Sequence, residues 1–374
     1  MIVYPREYNA FKEAVFSALA TEAGGARALP IIPLSFMDWP ETNMRVQVAL
    51  ARAKRQPRSQ LGRWAKRQLI RGQYNWARRY FAAHPQEIAV AWNGLTGSRK
   101  AFLDGARDAG ASTLHAELAP LPDRVTLDAA GVNFESSVPR NPDFFIDWAK
   151  SNPASMEDNW RKLSAELTAR PSRRRDVKQD SGLLPDTPFL FCPLQVPRDS
   201  QITLFSGWTK DLPGFLSALR CAVDSLPEGW HLRLKEHPSA KLSLSDSLAP
   251  VLATGRAVLD NSTNSLEQLA ASRGVVTVNS SMAIQAFFFD KPVIVTGDAF
   301  FALKGLTEPC RSEMELHEAF AKVDQLRFDS KLREAFMTWL VCEYYPMFSI
   351  FKKNLNYDRN AFARALARAA ERQR

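Results

Sequence analysis

Short apolar runs that stop at polar corners recur along this chain, and segments with helical spacing separate them. Residues 189–195 (FLFCPLQ), 230–238 (WHLRLKEHP), 274–280 (GVVTVNS) and 291–297 (KPVIVTG) read as buried strands. Between them, 212–227, 265–273 and 281–290 carry apolar residues at helical intervals. A parallel neighbour is reached only by a crossover long enough to hold a helix, so this alternation predicts a parallel, doubly wound, Rossmann-like domain.

A second set lies upstream. EIAVAWNG (87–94) and STLHAELAP (112–120) read as strands around a helix at 98–111, and 123–135 reads as a small hairpin turning at Ala129–Gly131. Segment 168–188 is polar, charged and broken by Pro and Gly, which predicts a linker. A chain of 374 residues exceeds one ordinary core. The expected organisation is α/β of the GT-B type, two Rossmann-like domains facing a ligand-holding cleft, with C-terminal helices. The boundaries are 1–175 for the N-terminal domain with its basic helical region, 186–345 for a nucleotide-sugar domain, and 346–374 for a helical tail. Two or three helices are expected from 328 onward, interrupted at Pro346.

Composition narrows the class. Hydrophobic residues make up 45% and charged residues 24%, as in a globular protein. The four cysteines are scattered without a CxxC pair, which argues against a zinc site or a disulfide framework. The first residues carry Pro5, Glu7 and Glu13 and do not read as a signal peptide, and no apolar stretch is long enough to span a bilayer. A cytoplasmic location, peripheral at the inner membrane, is the expectation. The net charge is +9, and the cations are concentrated early: 45–79 contains no Asp or Glu, and Trp64, Leu69, Trp76, Tyr80 and Phe81 are interleaved. Residues 45–81 therefore read as solvated helices with one apolar face, as a membrane-surface helix, or as a wall for an anionic acceptor. No nucleic-acid-binding motif is present, so no nucleic-acid partner is expected.

In a doubly wound sheet, ligands bind outside the carboxyl ends of the strands. Three corners of the second domain meet there. After the first strand, Arg198 and Asp199 form either a solvent-exposed turn pair or a carboxylate aimed at the cleft. After the second, Lys235 and His237 alternate before Pro238, so both can point to one side and serve a phosphate, or His237 is simply a turn residue. After the third, Asn279, Ser280 and Ser281 open a helix, as an N-cap, an anion site, or both. Asp246 stands alone, so no metal-binding carboxylate pair is expected.

The combination of LKEHPS (234–239) with VVTVNSSMAIQAFFFDKPVIVTGDAFF (275–301) resembles the capsular polysaccharide synthesis family of retaining β-Kdo transferases, GT-B enzymes related to sialyltransferases. Residues 91–134 are similar to that family's N-terminal unit. The resemblance implies Asp199 as nucleophile, His237 with Ser280 and Ser281 at the phosphate of CMP, and Glu117 as an acidic residue facing the cleft. Many relatives carry Glu where this chain has Gln285. It further implies a CMP-Kdo donor without cofactor or metal, an anionic glycan or glycolipid acceptor, and Glu117 or His237 as the base. Two alternatives stay open: another donor such as CMP-sialic acid or a UDP-sugar, and a non-catalytic module that binds anionic polymer or membrane.

Overall fold

The computed structural model describes residues 1–157, 160–352 and 354–371. The chain divides into two compact units, each packed mainly on itself. The first comprises Met1–Ala119, Asp123–Val138 and Leu340–Arg374, and the second Pro139–Trp339 with Pro120–Pro122. The tail is thus part of the first unit rather than a separate appendage, and residues 139–175 fall in the second. Among the described residues no helix is long and apolar enough to cross a membrane.

The first unit is built on strands β1 (Ile2–Pro5), β2 (Ala26–Leu29), β3 (Ile88–Trp92), β4 (Thr113–Leu118) and β5 (Val125–Asp128), in the order β2-β1-β3-β4-β5. The first four are parallel, and β5 returns antiparallel on β4, with Glu117 opposite Thr126. One strand was not foreseen and one expectation changes here. The opening IVYP is an interior strand. The expected hairpin within 123–135 is instead the pair β4–β5, with a 3-10 turn at Asn133–Glu135.

Side chains alternate across this sheet as a strand's period of two requires. Ile2, Tyr4, Val90 and Trp92 face the helices Ala10–Glu22 and Arg359–Glu371, where Phe362, Ala365 and Leu366 close the core. Val3, Ala89 and Ala91 face the other way, onto Ala77, Phe81 and Phe102. Those last three come from the helices Gln60–Ala83 and Gly97–Asp108. The two helices touch at Gly105, where a Cβ would lie 2.6 Å from the Tyr74 carbonyl oxygen. The expected pair of basic helices is present as Thr42–Ala51 and Gln60–Ala83. The expected run of tail helices is not. Helix Ser330–Trp339 is followed by a π-type turn, Leu340–Tyr344, then a hairpin of Phe348–Phe351 with Asn354–Tyr357, then the last helix.

The second unit carries a fully parallel sheet in the order β11-β10-β9-β6-β7-β8. Its strands are β6 (Phe189–Pro193), β7 (His231–Lys235), β8 (Ala257–Leu259), β9 (Gly274–Thr277), β10 (Val293–Val295) and β11 (Glu308–Pro309). The four strands expected from sequence are β6, β7, β9 and β10. They read as continuous apolar runs because both faces are covered. Leu190, Leu232, Leu234, Val276 and Ile294 form one core with Phe215, Leu219 and Phe320. Segment 168–188 is not a free linker. Arg173 N–H donates to the Pro238 carbonyl (2.9 Å), Lys178 N–H to that of Asn261 (2.6 Å), and Asp180 N–H to that of Ser262 (3.0 Å).

Candidate functional site

From β6 the chain builds β7 and β8 outward on one side, then crosses back to place β9 on the other side of β6. The strand order reverses there, so the loops after β6 and β9 diverge and leave a crevice beyond their carboxyl ends. A pocket open to solvent occupies this place. Its wall includes Pro193 at the end of β6 and Leu194 beyond it, His237 and Pro238 after β7, and Ser280, Ser281 and Gln285 after β9. Three corners that lie far apart in sequence thus share one pocket.

His237 is held in one tautomer. Its Nδ1 accepts the Ser239 N–H at 3.0 Å, so the ring proton sits on Nε2, which has no protein partner among the described residues. Burial first, and then the charge of Arg170, push its pKa below the usual imidazole value, against the pull of Asp199. At neutral pH His237 is therefore an uncharged N–H donor in the wall of the pocket.

Lys235 does not share that role. β7 ends at Lys235, and beyond it the alternation that would align Lys235 with His237 no longer applies. The stem lines the pocket, but Nζ donates to the carbonyls of Lys178 (2.9 Å), Asn261 (3.2 Å) and Thr263 (2.6 Å). All three ammonium protons are engaged, so the expected Lys–His phosphate pair is corrected to a histidine with a structural lysine behind it. Glu236, between them, is buried and ion-paired with Arg174, and it accepts from Ser243 Oγ and Leu244 N–H, each at 3.2 Å. The corner LKEHPS is thus fixed on both sides while His237 faces open space.

The β6 and β9 corners are joined by Asn279. Its Oδ1 accepts from Gln195 Nε2 (2.9 Å), and its Nδ2 donates to the carbonyls of Gln201 (3.1 Å), Phe205 (2.9 Å) and Asp298 (3.3 Å). With donors and acceptor committed, Asn279 positions Ser280 rather than a ligand. Ser280 Oγ accepts from Met282 N–H (3.2 Å), which starts the helix Met282–Phe288. The Ser281 side chain is exposed at the pocket, and Gln285 follows one turn on.

Asp199 lies in the loop after β6, as expected, and caps the helix Ser200–Phe205 by accepting the Gln201 N–H at Oδ1 (2.9 Å). It is not part of the pocket wall, although its charge is felt by His237. Arg198 is exposed and also lies outside the wall. Glu117 is in the first unit, at the end of β4, where Oε2 accepts from Asn93 Nδ2 (2.9 Å).

Sequence reasoning missed Arg170, which lines the pocket and has no ion-pair partner among the described residues. The reading of 168–188 as a linker hid it. What brings it here is the strap at Arg173 and Arg174, which bind the Pro238 carbonyl and Glu236. Among the described residues there is no group of three or more His, Cys, Asp or Glu that could hold a metal ion.

A parallel sheet with a pocket at its strand-order reversal, preceded by a second Rossmann-like unit to which the chain's C-terminal helix returns, is the GT-B fold class. Two solved structures agree. The chain matches "Thermosulfurimonas dismutans KpsC, beta Kdo 2,7 transferase" with a TM-score of 0.56 and 14% identity, over 99% of each chain. It matches the beta Kdo 2,4 transferase of the same protein with a TM-score of 0.51 and 15% identity, over 98% of each. Residues 172–345 match the family model described as capsule polysaccharide biosynthesis protein. The resemblance read from LKEHPS and the serine corner is borne out there. Among curated proteins, Protein FixF of Sinorhizobium fredii is 31% identical over 72% of this chain, and the capsule polysaccharide export protein KpsS of Escherichia coli is 24% identical over 50%. The chain spans 60% of the length of each of these two relatives.

Proposed function

We propose that the protein is a glycosyltransferase of capsule or related surface-polysaccharide synthesis. It takes Kdo from CMP-Kdo and transfers it, with retention, to a glycan or glycolipid acceptor. The observation that carries this reading is the donor set of the pocket. One neutral imidazole N–H, serine hydroxyls, an amide and a single unpaired guanidinium converge at the crevice. That is too little charge for a pyrophosphate and enough for one phosphodiester with a neighbouring carboxylate. The sugar acid's own carboxylate repels an attacking Asp, and Arg170 in the pocket wall offsets it.

In the proposed reaction, Asp199 Oδ2 attacks the anomeric carbon. The bond to the phosphate oxygen breaks, and CMP leaves with the electron pair, steadied by His237 Nε2–H. The acceptor hydroxyl then displaces Asp199 and gives up its proton to a base, the role the resemblance gives Glu117, since His237 Nε2 already carries a proton and Nδ1 accepts the Ser239 N–H. The N-cap bond at Oδ1 fixes the carboxylate's orientation while Oδ2 stays open.

Intact-protein mass spectrometry after mixing with CMP-Kdo tests this. The expected result is a Kdo adduct mapping to Asp199 and absent in Asp199→Ala. Undiminished transfer by Asp199→Ala refutes the nucleophile. Stabilisation of the protein by UDP and not by CMP in a thermal shift refutes the donor and favours a UDP-sugar transferase.

A further inference from the structure

Glu117 serves the second half of the proposed reaction, and its carboxylate is held by an uncharged partner. It is the last but one residue of β4 and is half-buried. Oε1 accepts the N–H of its neighbour Leu118 (3.0 Å), and Oε2 accepts Asn93 Nδ2 (2.9 Å). Among the described residues no Lys or Arg pairs with it. Lys12 and Arg99, in the same unit, pair with Glu7.

Asn93 is held at backbone and side chain alike. β3 ends at Trp92, and Asn93 and Gly94 both adopt the left-handed conformation, at φ 62° and 77°. Gly94 N–H donates back to the Trp92 carbonyl (2.8 Å), so the chain reverses on Asn93 in a three-residue turn. β4 pins that turn twice. Asn93 N–H donates to the Ala116 carbonyl (2.7 Å), and the Asn93 carbonyl accepts the Nδ1–H of buried His115 (2.9 Å). Gly94 admits no side chain, because a Cβ there would lie 2.5 Å from His115 Nδ1. Asn93 Oδ1 accepts the Leu95 N–H (3.3 Å), which settles the amide's orientation and leaves Nδ2 facing Glu117. An amide suits this place chemically. A Lys or Arg would also orient the carboxylate, but its charge would weaken the carboxylate's hold on the proton it must take. A neutral donor orients it with less of that loss.

We infer that Asn93 is a positioning residue, whose amide aims Glu117 at the hydroxyl it deprotonates in the second displacement. The inference rests on the reading of Glu117 as the base of a two-step transfer. The test follows discharge of the Kdo adduct on Asp199 by water and by azide, in intact-protein mass spectrometry. Water must lose a proton as it attacks, and azide has none to lose. Asn93→Gly removes the amide and keeps the left-handed backbone, so it should melt close to wild type. It should form the adduct at the wild-type rate and discharge it to water roughly ten- to a hundredfold more slowly. Discharge by azide should match wild type. In a Glu117→Gln background the same change should cost nothing further, because the amide acts only through Glu117. Asn93→Asp also tolerates the turn, but its carboxylate shares a proton with Glu117, so discharge to water should be slow at neutral pH and recover as pH is raised. Discharge of Asn93→Gly to water at the wild-type rate, equal slowing with azide, or a further full loss in the Glu117→Gln background overturns the inference and leaves the two-step reaction standing. A wild-type protein that forms no adduct from CMP-Kdo refutes the reaction itself, and this role with it.

Discussion

Replacing Lys235 by Met separates two roles for the lysine of LKEHPS. As a phosphate ligand it would leave stability untouched when removed and weaken nucleotide binding directly. In the structure it is a buried staple whose Nζ donates to three backbone carbonyls from two segments. Hydrogen bonds from a charged donor contribute about 1.5–3 kcal/mol each, so three amount to roughly 5–9 kcal/mol gross. Against this stands burial, which lowers the pKa from 10.5 to about 8, a penalty of about 3 kcal/mol on the charged form. The net loss on substitution is then about 3–5 kcal/mol, in the range for a broken buried charge network. For a unit of this size that corresponds to a fall in Tm of about 10 °C. Urea unfolding and thermal melts of Lys235→Met measure it. CMP affinity, taken below the variant's transition, should fall far less than in His237→Ala. An unchanged Tm together with abolished CMP binding refutes the staple and restores the lysine to the phosphate.

Further outcomes follow from other buried polar groups. Asn279→Ala leaves Gln195 and three carbonyls without their partner and should cost about 2–3 kcal/mol in urea unfolding. Asn279→Asp sets a carboxylate against those same carbonyls and should be worse at neutral pH, so an Asp variant as stable as wild type contradicts the amide orientation. His115 is fully buried in the first unit, with Nδ1–H donating to the Asn93 carbonyl (2.9 Å) and Nε2 unpartnered. Burial lowers its pKa from 6.5 to about 4. Because the unfolded chain takes up the proton first, stability is full above pH 6.5 and falls as pH drops toward 4, by about 3 kcal/mol in all. His115→Gln should flatten that slope in unfolding measured between pH 7 and 4.5, and an unaltered slope refutes the assignment.

The legible parts of the fold are those dictated by local pattern. Buried parallel strands are near-continuous apolar runs, so β6, β7, β9 and β10 can be read directly. IVYP at β1 is the same kind of run, but at four residues and at the chain's start it is too short to stand out. The hairpin at Phe348–Tyr357 reads as helix in sequence because short aromatic segments fit either period.

The same division applies to the site. Sequence by itself determined that three corners, at Asp199, His237 and Ser280, follow strands of one parallel sheet, because strand and helix periods are local properties. It could not determine which atoms at those corners are free. Lys235 and Asn279 look like ligands in one dimension, and three dimensions commit them to backbone carbonyls of segments 19 to 78 residues away. Arg170 looks like linker, and the strap onto Pro238 and Glu236 brings it to the pocket. Hydrogen-bond saturation depends on neighbours that only tertiary packing supplies. The sequence therefore placed the three corners at the carboxyl end of one sheet, and the structure decided which of their polar groups are committed to backbone partners.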